Sequence, residues 1–132
     1  MIKENEVLHL IIDSYPRARS ELVLSADDWI SHNGNINAHA LLRCVVRVVV
    51  SSFVLGDYEN SEKLFELIER FIIEGEVCVA NAACTCFVES LQNIASHGGE
   101  FENAHFLSLL GEKSKEHATA WNAFNGVKFS EF

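Results

Sequence analysis

The sequence predicts an all-α protein of about six helices, and three observations carry that expectation. Apolar residues recur at helical spacing along most of the chain, a period that a half-buried strand does not show. The only proline is Pro16, so no later helix is interrupted by one. Turn-forming residues gather in short clusters, at His32-Asn33-Gly34-Asn35, Gly56-Asp57-Tyr58-Glu59-Asn60 and His97-Gly98-Gly99, with apolar-rich segments between them. At 132 residues the chain has the length of one domain, enough to bury roughly two thirds of its unfolded surface. With no Pro/Gly-rich linker, residues 1–132 are expected to form a single helical domain.

Each element follows from local pattern. Val7, Leu8, Leu10, Ile11 and Ile12 predict a first helix over about Lys3 to Asp13, which Pro16 stops by turning Tyr15 away from helical dihedrals. Arg17 to Ser31 predicts a second, carrying Leu22, Leu24, Trp29 and Ile30. Ile36 to Leu55 is nearly all apolar and rich in valine, a strand-like composition. Arg43, Arg47 and Ser51, spaced by four, make a narrow polar stripe instead, and the segment reads as a central buried helix.

A fourth helix is expected from Asn60 or Ser61, with Leu64, Phe65, Ile68, Phe71 and Ile72 inward and Gly75 closing it in a left-handed conformation. A fifth, from about Glu76 to Ser96, is expected to bury Val77, Ala80, Cys84, Phe87, Val88, Leu91 and Ile94 and to form an antiparallel hairpin with the fourth. After a short segment from Phe101 to Leu110, a last helix over Ser114 to Phe124 turns Ala118, Trp121 and Phe124 inward, and the tail after Gly126 is expected to be loose. The assembly is an irregular bundle or a stack of helical hairpins.

Composition excludes several functions. Ten Lys plus Arg against nineteen Asp plus Glu give a net charge of −9, which repels nucleic acid and anionic membranes and favours a basic partner. The polar, acidic start, Met1-Ile2-Lys3-Glu4-Asn5-Glu6, lacks the basic and apolar regions of a secretory signal, so the chain is expected to be cytoplasmic. Arg43 and Arg47 break the one long apolar stretch, so no membrane span is expected. Cys44, Cys78, Cys84 and Cys86 read as reduced core thiols.

No catalytic set emerges. Cys84 and Cys86, two apart on a helix, point about 200 degrees apart around its axis and cannot share a metal ion. The six histidines, His9, His32, His39, His97, His105 and His117, contain no pair spaced by four. His97-Gly98-Gly99 has no nucleophile elbow to serve, and no glycine-rich phosphate loop is present. No enzyme activity, metal or cofactor is expected.

The feature that points to function is acidic clustering in mid-chain. Asp57 and Glu59 flank Tyr58 in a loop, Glu62, Glu66 and Glu69 are spaced to share one exposed helix face, and Glu74 and Glu76 surround the next turn. Lys63 and Arg70 offset part of this charge. The ordinary reading is a solvated helix face. The functional one is an acidic surface that imitates a phosphate backbone and docks on a basic, nucleic-acid-binding protein.

The stretch Leu64-Phe65-Glu66-Leu67-Ile68-Glu69-Arg70-Phe71-Ile72-Ile73-Glu74-Gly75-Glu76-Val77, with Asn81-Ala82 and Phe87-Val88-Glu89-Ser90-Leu91-Gln92-Asn93, resembles a family of small helical bacterial proteins. The shared pattern is a Phe-led helix with a Leu-Ile-Glu centre, an acidic-Gly-acidic turn and a helix ending Phe-Leu-Glu-Xaa-Leu-Xaa-Asn. Leu109-Leu110-Gly111 and Trp121-Asn122-Ala123-Phe124 match its closing segments, while Val88 departs from the usual Leu. The resemblance covers the second half of the chain. It implies a toxin-immunity protein of the contact-dependent growth inhibition or polymorphic-toxin type, which binds a cognate toxin C-terminal domain, often a nuclease, in the cytosol. Such a partner would meet Asp57, Tyr58, Glu59, Glu62, Glu66, Glu69, Glu74 and Glu76. The alternative is a non-enzymatic adaptor or scaffold that binds a host protein through an apolar groove.

Overall fold

A computed structural model describes residues 1–125; the expected loose tail from Gly126 onward lies outside them. The described residues hold eight α-helices: α1 (Val7–Ser14), α2 (Ala18–Leu24), α3 (Ala26–Trp29), α4 (Ala38–Val54), α5 (Ser61–Glu74), α6 (Val77–Ala82), α7 (Glu89–Ala95) and α8 (Glu112–Phe124). Single 3₁₀ turns occupy Glu4–Glu6, Asn103–His105 and Leu107–Leu109. The count exceeds the predicted six because two predicted helices divide. The Arg17 to Ser31 segment breaks at Ser25, and the Glu76 to Ser96 segment is α-helical at both ends but π-helical over Ala83–Val88.

The core is built around α4 and α5. Buried Leu41, Leu42, Val45, Val46, Val49 and Phe53 of α4 pack against α2, α3, α6, α7 and the π-helical segment. Leu64, Phe65, Leu67, Ile68 and Phe71 of α5 face α1, α6, the π segment and α8. The result is an irregular bundle in which Arg43, Arg47 and Ser51 form the exposed stripe that their spacing predicts. At 17 residues α4 is the longest helix, and no helix among the described residues is long and apolar enough to cross a membrane.

Side-chain contacts set the boundaries. Pro16 follows the end of α1, where Tyr15 leaves the helical region at φ −136°. The indole of Trp29 donates to the Leu22 carbonyl at 3.0 Å, tying the end of α3 to α2. Asn37 caps α4 by accepting from the Ala40 amide at 3.1 Å, and Glu4 accepts from the Ala38 amide at 3.0 Å. At the other end of α4 Gly56 is left-handed at φ 77°, its amide donating to Phe53 and that of Asp57 to Ser52. These two bonds close the helix's free carbonyls in a Schellman arrangement.

Four sequence expectations are corrected. Gly75 is not left-handed: it is extended, at φ −75° and ψ 152°. Ile2 donates to the Glu74 carbonyl and accepts from the Glu76 amide, both at 2.8 Å, and this strand-like pairing requires an extended turn. Glycine is needed there for space, since a Cβ would lie 2.4 Å from the Phe71 carbonyl oxygen and 2.8 Å from Val79 Cγ1. Val77 and Ile94 are exposed, at 77% and 37%, rather than buried. The wider π turn slips the register by one residue, so the face that buries Val79, Ala82, Ala83, Cys86 and Phe87 continues through Val88, Leu91 and Gln92. Phe124 is 90% exposed at the end of α8, whose inward positions are Ser114, Ala118 and Asn122. The fourth correction concerns Glu69 and belongs to the acidic surface.

Candidate partner-binding site

The eight acidic-cluster residues separate into those that hold the fold and those that face outward. Glu69, expected on the exposed stripe, reaches across to α8. Its carboxylate accepts from the Lys113 amide at 2.7 Å, the Ser114 amide at 2.9 Å and the Ser114 hydroxyl at 2.8 Å. Free amides at a helix start attract a carboxylate both as hydrogen-bond donors and as the positive end of the dipole. Spacing on α5 alone cannot show this, because the cap is supplied from a helix far along the sequence.

Glu76 has a similar structural task. It accepts from the Glu4 amide at 3.0 Å and from the Cys78 thiol at 3.3 Å. Those bonds hold its carboxyl below the ordinary value, the Glu4 amide contributing most. Burial, with Glu76 alongside, pushes the Cys78 thiol up to about 11. Glu74 pairs with Arg70 at 3.1 Å, one helical turn back, so Arg70 offsets Glu74 rather than the stripe. Asp57 is bound to Arg17 at 2.7 Å, and Glu59 approaches the same guanidinium at 3.8 Å. Arg17 and the Glu59 amide lower the Asp57 carboxyl below its usual range.

Tyr58, Glu62 and Glu66 are the outward group. Both glutamates are exposed and make no hydrogen bond or ion pair among the described residues. Tyr58 is 43% exposed, its ring 4.6 Å from that of buried Phe53. From Phe53 the aromatic contacts continue inward through Phe65 to Phe87, at 6.1 and 5.3 Å between centroids. Tyr58 is therefore an anchored surface aromatic.

Beside Tyr58 the surface is concave. A notch of about 560 Å³ opens between the start of α5 and the 3₁₀ turns that precede α8, lined by Tyr58, Asn60, Glu62, Lys63, His105 and Leu109. His105 forms part of the far wall. Its ring stacks on buried Phe101 at 5.4 Å, and its Nδ1 accepts from the Glu102 amide at 2.9 Å. Asn60 adopts the left-handed conformation at φ 60° and starts α5 directly below Tyr58 in the chain. Both walls are thus backed by core aromatics, Phe53 behind Tyr58 and Phe101 behind His105.

In the sequence Asn60 stands out only as a helix start, Leu109 as part of a motif and His105 as one of six histidines, and none of them is marked as a neighbour of Tyr58. No local signal could have found them, since His105 meets α5 only through the tertiary fold. The four cysteines are free thiols, Cys44 and Cys86 buried and Cys78 and Cys84 half-buried. Among the described residues no three His, Cys, Asp or Glu side chains converge on a metal-sized site.

These features define a helical protein with an aromatic-edged notch on its surface, lined by one carboxylate, Glu62, and one ammonium, Lys63. The chain belongs to the family described as "Domain of unknown function (DUF7674)", whose profile matches residues 8–126. No curated protein and no solved structure matches the chain.

Proposed function

We propose that this protein acts by binding, as an immunity protein that neutralises a cognate bacterial toxin domain in the cytosol. The observation that carries the reading is the notch beside Tyr58. It offers the Glu62 carboxylate, which has no ion pair among the described residues, on a lining shared with Tyr58, Lys63 and His105, with Glu66 one turn further along α5. A lysine or arginine of a basic partner would be met there by charge and by aromatic faces, the combination that makes a few residues dominate an interface. The net charge of −9 would steer such a partner into contact. The family resemblance of the α5–α7 region supplies the toxin as the partner class, and a nuclease domain has the required basic surface.

Glu69, Glu74 and Glu76 have tasks within the chain, so the interface is assigned to Tyr58, Glu62 and Glu66, with Asp57 and Glu59 at its edge. The adaptor alternative calls for an apolar groove, whereas the notch carries Glu62, Lys63 and His105.

The test is a pull-down from the native bacterium with the tagged chain and with its Glu62→Lys/Glu66→Lys variant, eluted at low and at high salt and read by mass spectrometry. A basic toxin domain should be recovered in equal amount with the parent chain, and the reversal should weaken its binding by about a hundredfold, ~2.7 kcal/mol. Recovery of a housekeeping protein, or undiminished toxin capture by the variant, would sink the reading.

A further inference from the structure

A second concave surface, of about 610 Å³, lies between α4 and α7 and shares no residue with the Tyr58 notch. Its chemistry is of the opposite sign. Arg43 and Arg47, one turn apart on α4, face Ser90 and Asn93, three apart on α7, so four hydrogen-bonding side chains on two helices border one space. Val46 and Ile94 add apolar wall. A volume of this size is that of a small-molecule site.

The state of the two arginines makes this more than a polar groove. The chain has nineteen carboxylates against ten cations, but Arg19, exposed on α2, has no acidic partner among the described residues, so only some surface arginines have such partners. Arg17 and Arg70 have found them. Arg43 has not: its one hydrogen bond among the described residues is to the Cys86 sulfur, at 3.4 Å. Arg47 donates to the Cys44 sulfur at 2.9 Å and lies 3.6 Å from Asp28, the one carboxylate lining the groove. A thiol is a weak acceptor, so most of the five donors of the exposed Arg43 guanidinium face solvent and are open to a ligand. Cys86 sits in the π-helical segment, an irregularity that recurs at functional sites. The wide turn brings its sulfur within 3.4 Å of the Arg43 guanidinium.

We propose that the α4–α7 groove binds a small organic oxyanion, a phosphate or carboxylate head on a compact apolar body. Arg43 grips the head as a planar fork, the geometry that suits such oxygens. Arg47 contributes charge from the next turn while Asp28 holds it in position. Ser90 and Asn93 complete the oxygen contacts from α7, and the apolar body lies against Val46 and Ile94.

The test is a titration of the full chain, followed by backbone amide NMR, with phenyl phosphate, phenylacetate and inorganic phosphate. Saturable binding is expected, with shifts concentrated in α4 and α7, and Arg43→Gln should weaken it at least about tenfold. Arg19→Gln, an exposed arginine on α2, should leave it unchanged. Phenyl phosphate or phenylacetate binding more tightly than inorganic phosphate supports the organic ligand. Equal affinity for inorganic phosphate would overturn the apolar-body assignment and leave a free-anion site. Absence of saturation for all three up to about 10 mM, a limit corresponding to only ~2.7 kcal/mol, or binding undiminished in both Arg43→Gln and Arg47→Gln, would overturn the site itself.

Discussion

Glu66 and Glu69 stand three residues apart on α5, carry the same charge, and do different work. Glu66 is exposed and engages nothing among the described residues, whereas Glu69 holds the first turn of α8 through three hydrogen bonds. The same division runs through the acidic cluster. Glu76 and Asp57 are tied to the Glu4 amide and to Arg17, and Glu62 has no partner among the described residues. The high acidity therefore serves two purposes. Part of it is spent as caps and ion pairs that join distant segments, and only the remainder is available to a partner.

The sharpest way to break this comparison is to remove each carboxylate in turn. Glu69→Ala leaves the Lys113 and Ser114 amides without their acceptor and should cost about 2 kcal/mol of stability, as charge-assisted caps do. Glu66→Ala should stay within about 0.5 kcal/mol of the parent. Chemical denaturation of the two variants measures the difference, and equal midpoints would mean that the α8 cap contributes nothing.

A somewhat smaller effect is expected at Gly111. A Cβ there would come within 2.5 Å of the Glu69 carboxyl carbon, although the backbone itself, at φ −74°, would accept any residue. Gly111→Ala should push Glu69 off the helix start at a cost of about 1 kcal/mol. In a Glu69→Ala background it should cost nothing, so the double-mutant cycle reads the coupling directly. Additive losses would assign another role to this glycine.

The acid limb of stability reports on two of the tied carboxylates. Asp57 and Glu76 have folded values below their ordinary 3.8 and 4.5, so they contribute stability that is fully present above those values. It is lost as pH falls through the lower folded values. Asp57→Asn and Glu76→Gln should each flatten the decline in melting temperature below about pH 4.5. The smallest effect belongs to Asn60, left-handed at φ 60°. Asn60→Gly should relieve that backbone and raise stability by about 0.5 kcal/mol in the same denaturation assay.

The sequence by itself determined the helical class and most element positions. Arg43, Arg47 and Ser51 marked the open side of α4, Pro16 marked the end of α1, and Leu64 through Phe71 marked the inner face of α5. Such features depend on residues within a turn or two of each other, where one period governs both local conformation and burial. The candidate site was legible only in outline: Glu62 and Glu66 are outward as their spacing predicts and Tyr58 is partly exposed, but their neighbours His105 and Leu109 are not readable from that spacing. Tertiary structure alone decided the rest. The π turn at Ala83–Val88 re-aimed a helix that strict periodicity would have placed with Ile94 inward. Ile2, from the far end of the chain, imposed an extended Gly75. Glu69 was drawn from the surface to α8 because unpaired amides at a helix start attract any carboxylate the fold brings near, whatever its distance in sequence.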